Sequence, residues 1–189
     1  MTDIEIHPWK PFIPDNAKLL FLGTFPPGEH RRSMDFYYPN RTNDFWYLMG
    51  YLFFNDRNRF LIADSKVFDL PAIKRFLCEK GIALGDTALK VRRLKGNASD
   101  KFLEIVEPLD LEALLKRETT ITDIVTTGEK AASVIASLTS TVVPAMGEYV
   151  EFGAGKHIWR MPSTSRAYPI KLEKKAEYYS RVFQLSGIK

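Results

Sequence analysis

The chain has 189 residues, 45% of them hydrophobic and 13% aromatic, enough to bury the core of one domain spanning residues 1–189. Lys and Arg number 27 against 23 Asp and Glu, a formal net charge of +4 at pH 7 that mildly favours an anionic partner. No apolar run approaches the ~20 residues needed to cross a bilayer, and MTDIEIHPWK lacks the basic-then-apolar layout of a signal peptide, so a soluble, cytoplasmic protein with no membrane partner is expected.

The opening HPWKPFIPDN carries three prolines and reads as an irregular arm, and KLLFLGT that follows is an apolar run of strand length ending at a glycine. After a turn-rich segment, DFWYLMGYLFF predicts a buried helix with Thr42 or Asn43 near its N-cap. SKVFDLPAIKRFLCEKG is helical in its second half and stops at Gly81, and IALGDT resumes as a strand. LDLEALLKRE predicts a helix, TITDIVTT a strand, GEKAASVIASL a helix, KHIWRMP the last strand and KLEKKAEYYSRVFQL the last helix. Strands alternating with helices imply parallel crossovers, hence an α/β chain folded as a three-layer α/β/α sandwich. Cys78, the single cysteine, falls in one of these helices and is expected to be a buried thiol. His7, His30 and His157 have no zinc-ligand spacing, so no zinc site is expected.

Ligands of such sheets bind outside the carboxyl ends of the strands, which directs attention to the residues after LLFLG, IALGD, DIVTT and IWRMP. GTFPPG is neither a GxGxxG turn nor a GxxxxGK[ST] loop, which removes support for nicotinamide enzymes and P-loop NTPases. Its adjacent prolines make a stiff, donor-poor loop suited to holding backbone close to a flat ligand, or an ordinary turn. YYPNRTNDFW has the aromatic rings and amides to stack a base and bond its edge, although Phe45 and Trp46 fit a core and Asn43 or Asp44 a helix cap equally well. MPSTSRAYP offers Ser163, Thr164, Ser165 and Arg166 as a clasp for a nucleic-acid phosphate, or a plain Ser/Thr turn. LKVRRLKGNASDK gathers Lys90, Arg92, Arg93, Lys95 and Lys101 around a Gly-Asn turn, either a phosphate-binding rim or a solvated face.

In this order, LLFLGTFPPG, YYPNRTNDFW, GIALGD with RRLKGNASD, VTTGEKA and MPSTSRA resemble the uracil-DNA glycosylase superfamily, and within it the mismatch-specific and hypoxanthine-DNA glycosylase branch. The resemblance implies a short four-stranded parallel sheet in the sandwich, and cofactor-free, monofunctional hydrolysis of the N-glycosidic bond of a flipped-out deaminated base. It implies that Asn43 orients the water or steadies the departing base, with Asp44 as an alternative water-activating group. Backbone N–H groups of Gly23, Thr24 and Phe25, beside Pro26, would stabilise charge on the leaving base. Phe25 or Phe45 would stack on it with Trp46 in support, and Thr127 stands where relatives often carry an asparagine against the base edge. Arg92, Arg93, Lys95, Ser163, Thr164, Ser165 and Arg166 would hold DNA that contains a damaged or mismatched base, with the protein acting as a monomer. Two other readings stay open: a nucleic-acid binding relative without chemistry, and a hydrolase of free nucleosides or nucleotides.

Overall fold

The apolar runs read as strands do pair side by side in the computed structural model, which describes residues 3–94, 102–153 and 155–188. In chain order the elements are β1 (Ile4–Ile6), β2 (Leu19–Gly23), α1 (Phe45–Phe54), α2 (Leu70–Lys80), β3 (Ile82–Asp86), β4 (Ala88–Arg93) and β5 (Leu103–Pro108). Then come α3 (Leu111–Arg117), β6 (Asp123–Thr127), α4 (Glu129–Thr139), β7 (Tyr149–Phe152), β8 (Lys156–Met161) and α5 (Leu172–Leu185).

The main sheet runs β3-β2-β6-β8-β7, with the first four strands parallel and β7 antiparallel to β8 at the edge. β2 is buried throughout because it sits inside this sheet and both of its faces are covered. Successive side chains on a strand point to opposite faces. Accordingly, Leu19 and Phe21 join the core formed with α1, α2 and α5, whereas Leu20 and Leu22 pack with Leu111 and Leu114 of α3 and Ile135 of α4. This is the three-layer α/β/α arrangement with its four parallel strands, to which β7 adds a fifth.

A second sheet, β1-β4-β5, is antiparallel and takes up the start of the basic stretch, through Arg93, in β4. Its inner positions Ala88, Val91 and Leu103 pack against Phe25. Its outer positions are charges matched across strands, Lys90 with Glu107 at 2.6 Å and Arg92 with Glu104 at 2.8 Å. Cys78 is also corrected, since it lies on the exposed side of α2 while Ile73, Phe76 and Leu77 take the buried stripe. Among the described residues no helix is long and apolar enough to cross a membrane.

Candidate active site

The last residue of each parallel strand, Asp86, Gly23, Thr127 and Met161, lines one cavity of about 1020 Å³. That is where open α/β sheets bind ligands, and the volume is ample for a heterocyclic base with its sugar. Loop residues 24–27, 38–40, 42, 43 and 162–168 contribute the walls.

The floor is built around Asp86. Parallel register sets it beside Gly23, so closely that a Cβ on Gly23 would come within 2.4 Å of Asp86 Oδ1. Only glycine fits there without displacing the carboxylate. The Gly23 backbone amide is a hydrogen-bond partner of Asp86, and His7 Nε2 lies 2.9 Å from Asp86 Oδ2. Burial pushes the Asp86 carboxyl above its ordinary value, and the opposing pulls of His7 and the Gly23 amide only partly offset this. His7 is itself held by aromatic rings, edge-on to Trp9 and Phe25 and stacked with Tyr37, and by Nδ1 at 2.7 Å from the Trp9 carbonyl.

One wall is the Phe25-Pro26-Pro27 turn. Having no N–H, the prolines offer carbonyls only, and two guanidinium groups take them: Arg93 Nη2 donates to Pro26 at 3.2 Å and Arg32 Nε to Pro27 at 3.0 Å. The Phe25 N–H has no acceptor among the described residues. Of the amides expected to face a leaving base, that of Gly23 already serves Asp86, so Phe25 is the stronger donor; Thr24 also lines the cavity. Opposite stands Tyr38, whose hydroxyl lies 3.1 Å from Thr127 Oγ1.

Phe45 and Trp46 do not reach the cavity. They are 0% and 1% exposed in the core, because the helix that begins at Phe45 turns its first residues inward. Phe45 stacks behind Tyr38 at 3.9 Å and 8°, and the aromatic residues that line the cavity are Tyr38, Phe25 and Tyr168. Tyr38 has φ +51, a left-handed conformation uncommon for a bulky residue outside a turn or functional site.

Asn43 lines the cavity with its Oδ1 accepting the Phe45 N–H at 2.9 Å. This is a turn onto the first residue of α1, whose N-cap is Asp44 rather than the expected Thr42 or Asn43, and the Asn43 amide nitrogen has no protein partner among the described residues. Asp44 is turned away: Oδ1 accepts from Arg166 Nε at 2.8 Å and Oδ2 from Lys175 Nζ at 2.9 Å. A carboxylate held by two cations behind the cavity wall is not placed to activate water, which corrects the alternative role read for Asp44. Ser163, Thr164, Ser165 and Arg166 all line the cavity. Ser163 Oγ accepts the Ser165 N–H and Ser165 Oγ the Ala167 N–H, each at 3.2 Å, so both turns are Ser/Thr turns whose hydroxyl protons stay available to an incoming acceptor.

Arg92 and Arg93 are likewise corrected as parts of a cavity rim. Arg92 pairs with Glu104 on the antiparallel sheet, and Arg93 forks onto Glu5 at 2.8 and 3.0 Å while bracing Pro26. Lys95 and Lys101 lie outside the described residues. The cations lining the cavity are instead Arg31, Lys130, Arg160 and Arg166. Sequence reasoning missed Asp86, His7 and Tyr38. A carboxylate closing an apolar strand at the ligand end of a parallel sheet marks Asp86; nothing local marks His7, which is 79 residues away from it.

No protein-family model matches the chain, and no curated protein matches it. Its fold is similar to a solution NMR structure described as a "putative Uracil DNA glycosylase" from Methanosarcina acetivorans, with a TM-score of 0.68 and 21% sequence identity over 98% of this chain and 99% of that one.

Proposed function

We propose that the chain is a single-domain, monomeric, monofunctional DNA glycosylase of the uracil-DNA glycosylase superfamily, acting in the cytoplasm in base excision repair on a flipped-out hypoxanthine or uracil. The observation that carries this reading is the composition of one cavity at the carboxyl ends of the strands. It combines an amide with an unpartnered nitrogen (Asn43), two aromatic faces (Tyr38, Phe25), a buried carboxyl (Asp86) and a hydroxyl-rich turn (Ser163–Ser165). The likeness in fold to the Methanosarcina acetivorans structure supports it.

The chemistry follows from what each group can do. Inside a duplex the glycosidic bond is inaccessible, so the nucleotide must leave the stack, and Ser163, Thr164 and Ser165 can donate to the phosphates beside it. The base then lies against Tyr38 and Phe25. Hypoxanthine and uracil present a ring N–H beside a carbonyl, and this edge matches an Asp86 acceptor with a Thr127 hydroxyl. Adenine and cytosine present a bare ring nitrogen there, whose lone pair opposes the carboxylate. Bond breaking is largely dissociative: the C1′–N bond cleaves with its electron pair going to the base, and charge on the base is met by the Phe25 N–H. Asn43 holds the water that supplies hydroxyl to C1′, while its proton passes to solvent and the released base takes up another. Positioning suffices because the attacked carbon is already electron-poor.

The test is base release under single turnover, with protein in excess over labelled oligonucleotides containing hypoxanthine, uracil or xanthine, single-stranded and paired. Release of a deaminated base from polymer is the expected result. A second reading, DNA binding without chemistry, is favoured by one observation, that Asn43 Oδ1 is already engaged by the Phe45 N–H. Salt-dependent binding with no base released would establish it instead.

A further inference from the structure

Lys175 is 0% exposed, on the inward stripe that α5 makes with Leu172, Ala176, Tyr179 and Val182. Lysine is almost never fully buried unless paired. Its ammonium donates to Asp44 Oδ2 at 2.9 Å and to the Ser165 carbonyl at 3.0 Å, while Asp44 Oδ1 takes Arg166 Nε at 2.8 Å. The Arg166 guanidinium lies 4.8 Å from the centre of the Tyr47 ring. Backbone bonds join the same two loops: Asp44 N–H to the Thr164 carbonyl at 2.7 Å, and Arg166 N–H to the Thr42 carbonyl at 3.2 Å. Asn43 and Ser165 form the bridge between them.

Lys175 therefore sits where three segments meet: α5, the turn that carries Asn43, and the hydroxyl turn. It does not line the cavity and cannot touch a ligand. A buried ion pair is weak evidence of stabilisation, because apolar residues of similar volume often serve as well or better. What apolar residues could not do is tie a carboxylate of one loop to a backbone carbonyl of the other. Resting on the glycosylase reading above, we infer that Lys175 is a positioning residue: through Asp44 and the Ser165 carbonyl it fixes the separation of the Asn43 amide from the Ser163–Ser165 hydroxyls. Phosphate grip and water-holding amide then stay in register when a nucleotide enters. Misplacement by about 1 Å costs on the order of 10²-fold in rate.

The experiment compares the full-length protein with Lys175→Met and with Asp44→Asn/Lys175→Met, which removes both buried charges and protects against failure of the single variant to fold. Three quantities are read: the single-turnover rate of base release at saturating protein, the Kd for an oligonucleotide carrying an abasic-site analogue, and amide exchange at Asp44 and Arg166. In the double variant the rate is expected to fall about 10- to 100-fold, with Kd changed less than about 3-fold and both amides exchanging faster. A variant that is less stable but keeps its single-turnover rate, or amides whose exchange is unchanged, would overturn the inference. If the unsubstituted protein releases no base, the glycosylase reading fails by itself. Exchange then decides the clamp: faster exchange in the double variant supports it, and unchanged exchange overturns it.

Discussion

Asp86 and Asp44 lie at the same end of the molecule, with side chains 8% and 9% exposed, and each faces at least one nitrogen that can carry positive charge. They differ in what their partners leave over. Asp86 ends a parallel strand, lines the cavity and keeps lone pairs that neither His7 nor the Gly23 amide uses. Asp44 has each oxygen on a different cation and lies behind the cavity wall. Burial alone does not distinguish a carboxylate that meets a ligand from one that holds loops together; the geometry of the partners does.

Removing each acid in turn separates the two roles. Asp44→Ala strands the Lys175 ammonium in the interior with a single carbonyl for company, and is expected to cost about 3–5 kcal/mol in urea unfolding. A loss under about 1 kcal/mol would show the pair to be unimportant for the fold. Asp86→Ala is expected to slow base release roughly 10²-fold by removing the acceptor for the ring N–H, with little loss of stability; equal effects of the two substitutions on unfolding would erase the distinction.

A pH series sharpens it further. The Asp86 carboxyl is raised by burial above its ordinary 3.8, so the folded state holds its proton more tightly than the unfolded chain does. Its contribution to stability is fully present below that ordinary value and is lost as pH rises through the raised one. Asp86→Asn should flatten this part of the stability profile, and an unchanged profile would contradict the assignment. Smaller again is Tyr38→Leu, which trades the ring facing the cavity for an aliphatic chain and is expected to weaken nucleotide binding by about 1–3 kcal/mol, read as Kd for an abasic-analogue oligonucleotide against one carrying an intact base. Smallest is Arg92→Ala, paired on the antiparallel sheet away from the cavity: about 0–1 kcal/mol in stability and no change in base release.

The parallel sheet was legible because its strands are compact apolar runs, LLFLG, IALGD and DIVTT, each closed by a polar or glycine residue. The antiparallel sheet was not. Lys90, Arg92 and Arg93 of ALKVRR are matched by Glu107, Glu104 and Glu5 on neighbouring strands, so the basic residues read alone suggest a phosphate-binding rim or a solvated face. Residue type and place in the chain point to Asn43 and the Ser163–Ser165 turn, which line the cavity. Asp44 was misread for the reason that hid Lys175: its partners lie 122 and 131 residues away. Lys175 left one trace, a cation at the spacing of an apolar stripe between Leu172 and Tyr179. Phe45 and Trp46 were ambiguous between core and stacking until the start of α1 fixed which way they point.

The most direct test of the account is single-turnover release of hypoxanthine and uracil from oligonucleotides by the unsubstituted protein, with Asn43→Ala beside it. The expected result is release of at least one deaminated base from polymer, reduced about 10²- to 10³-fold in the variant, whose oligonucleotide binding persists. Release unaffected by the substitution would place the chemistry elsewhere in the cavity, and no release of any base by the unsubstituted protein would contradict the account at its centre.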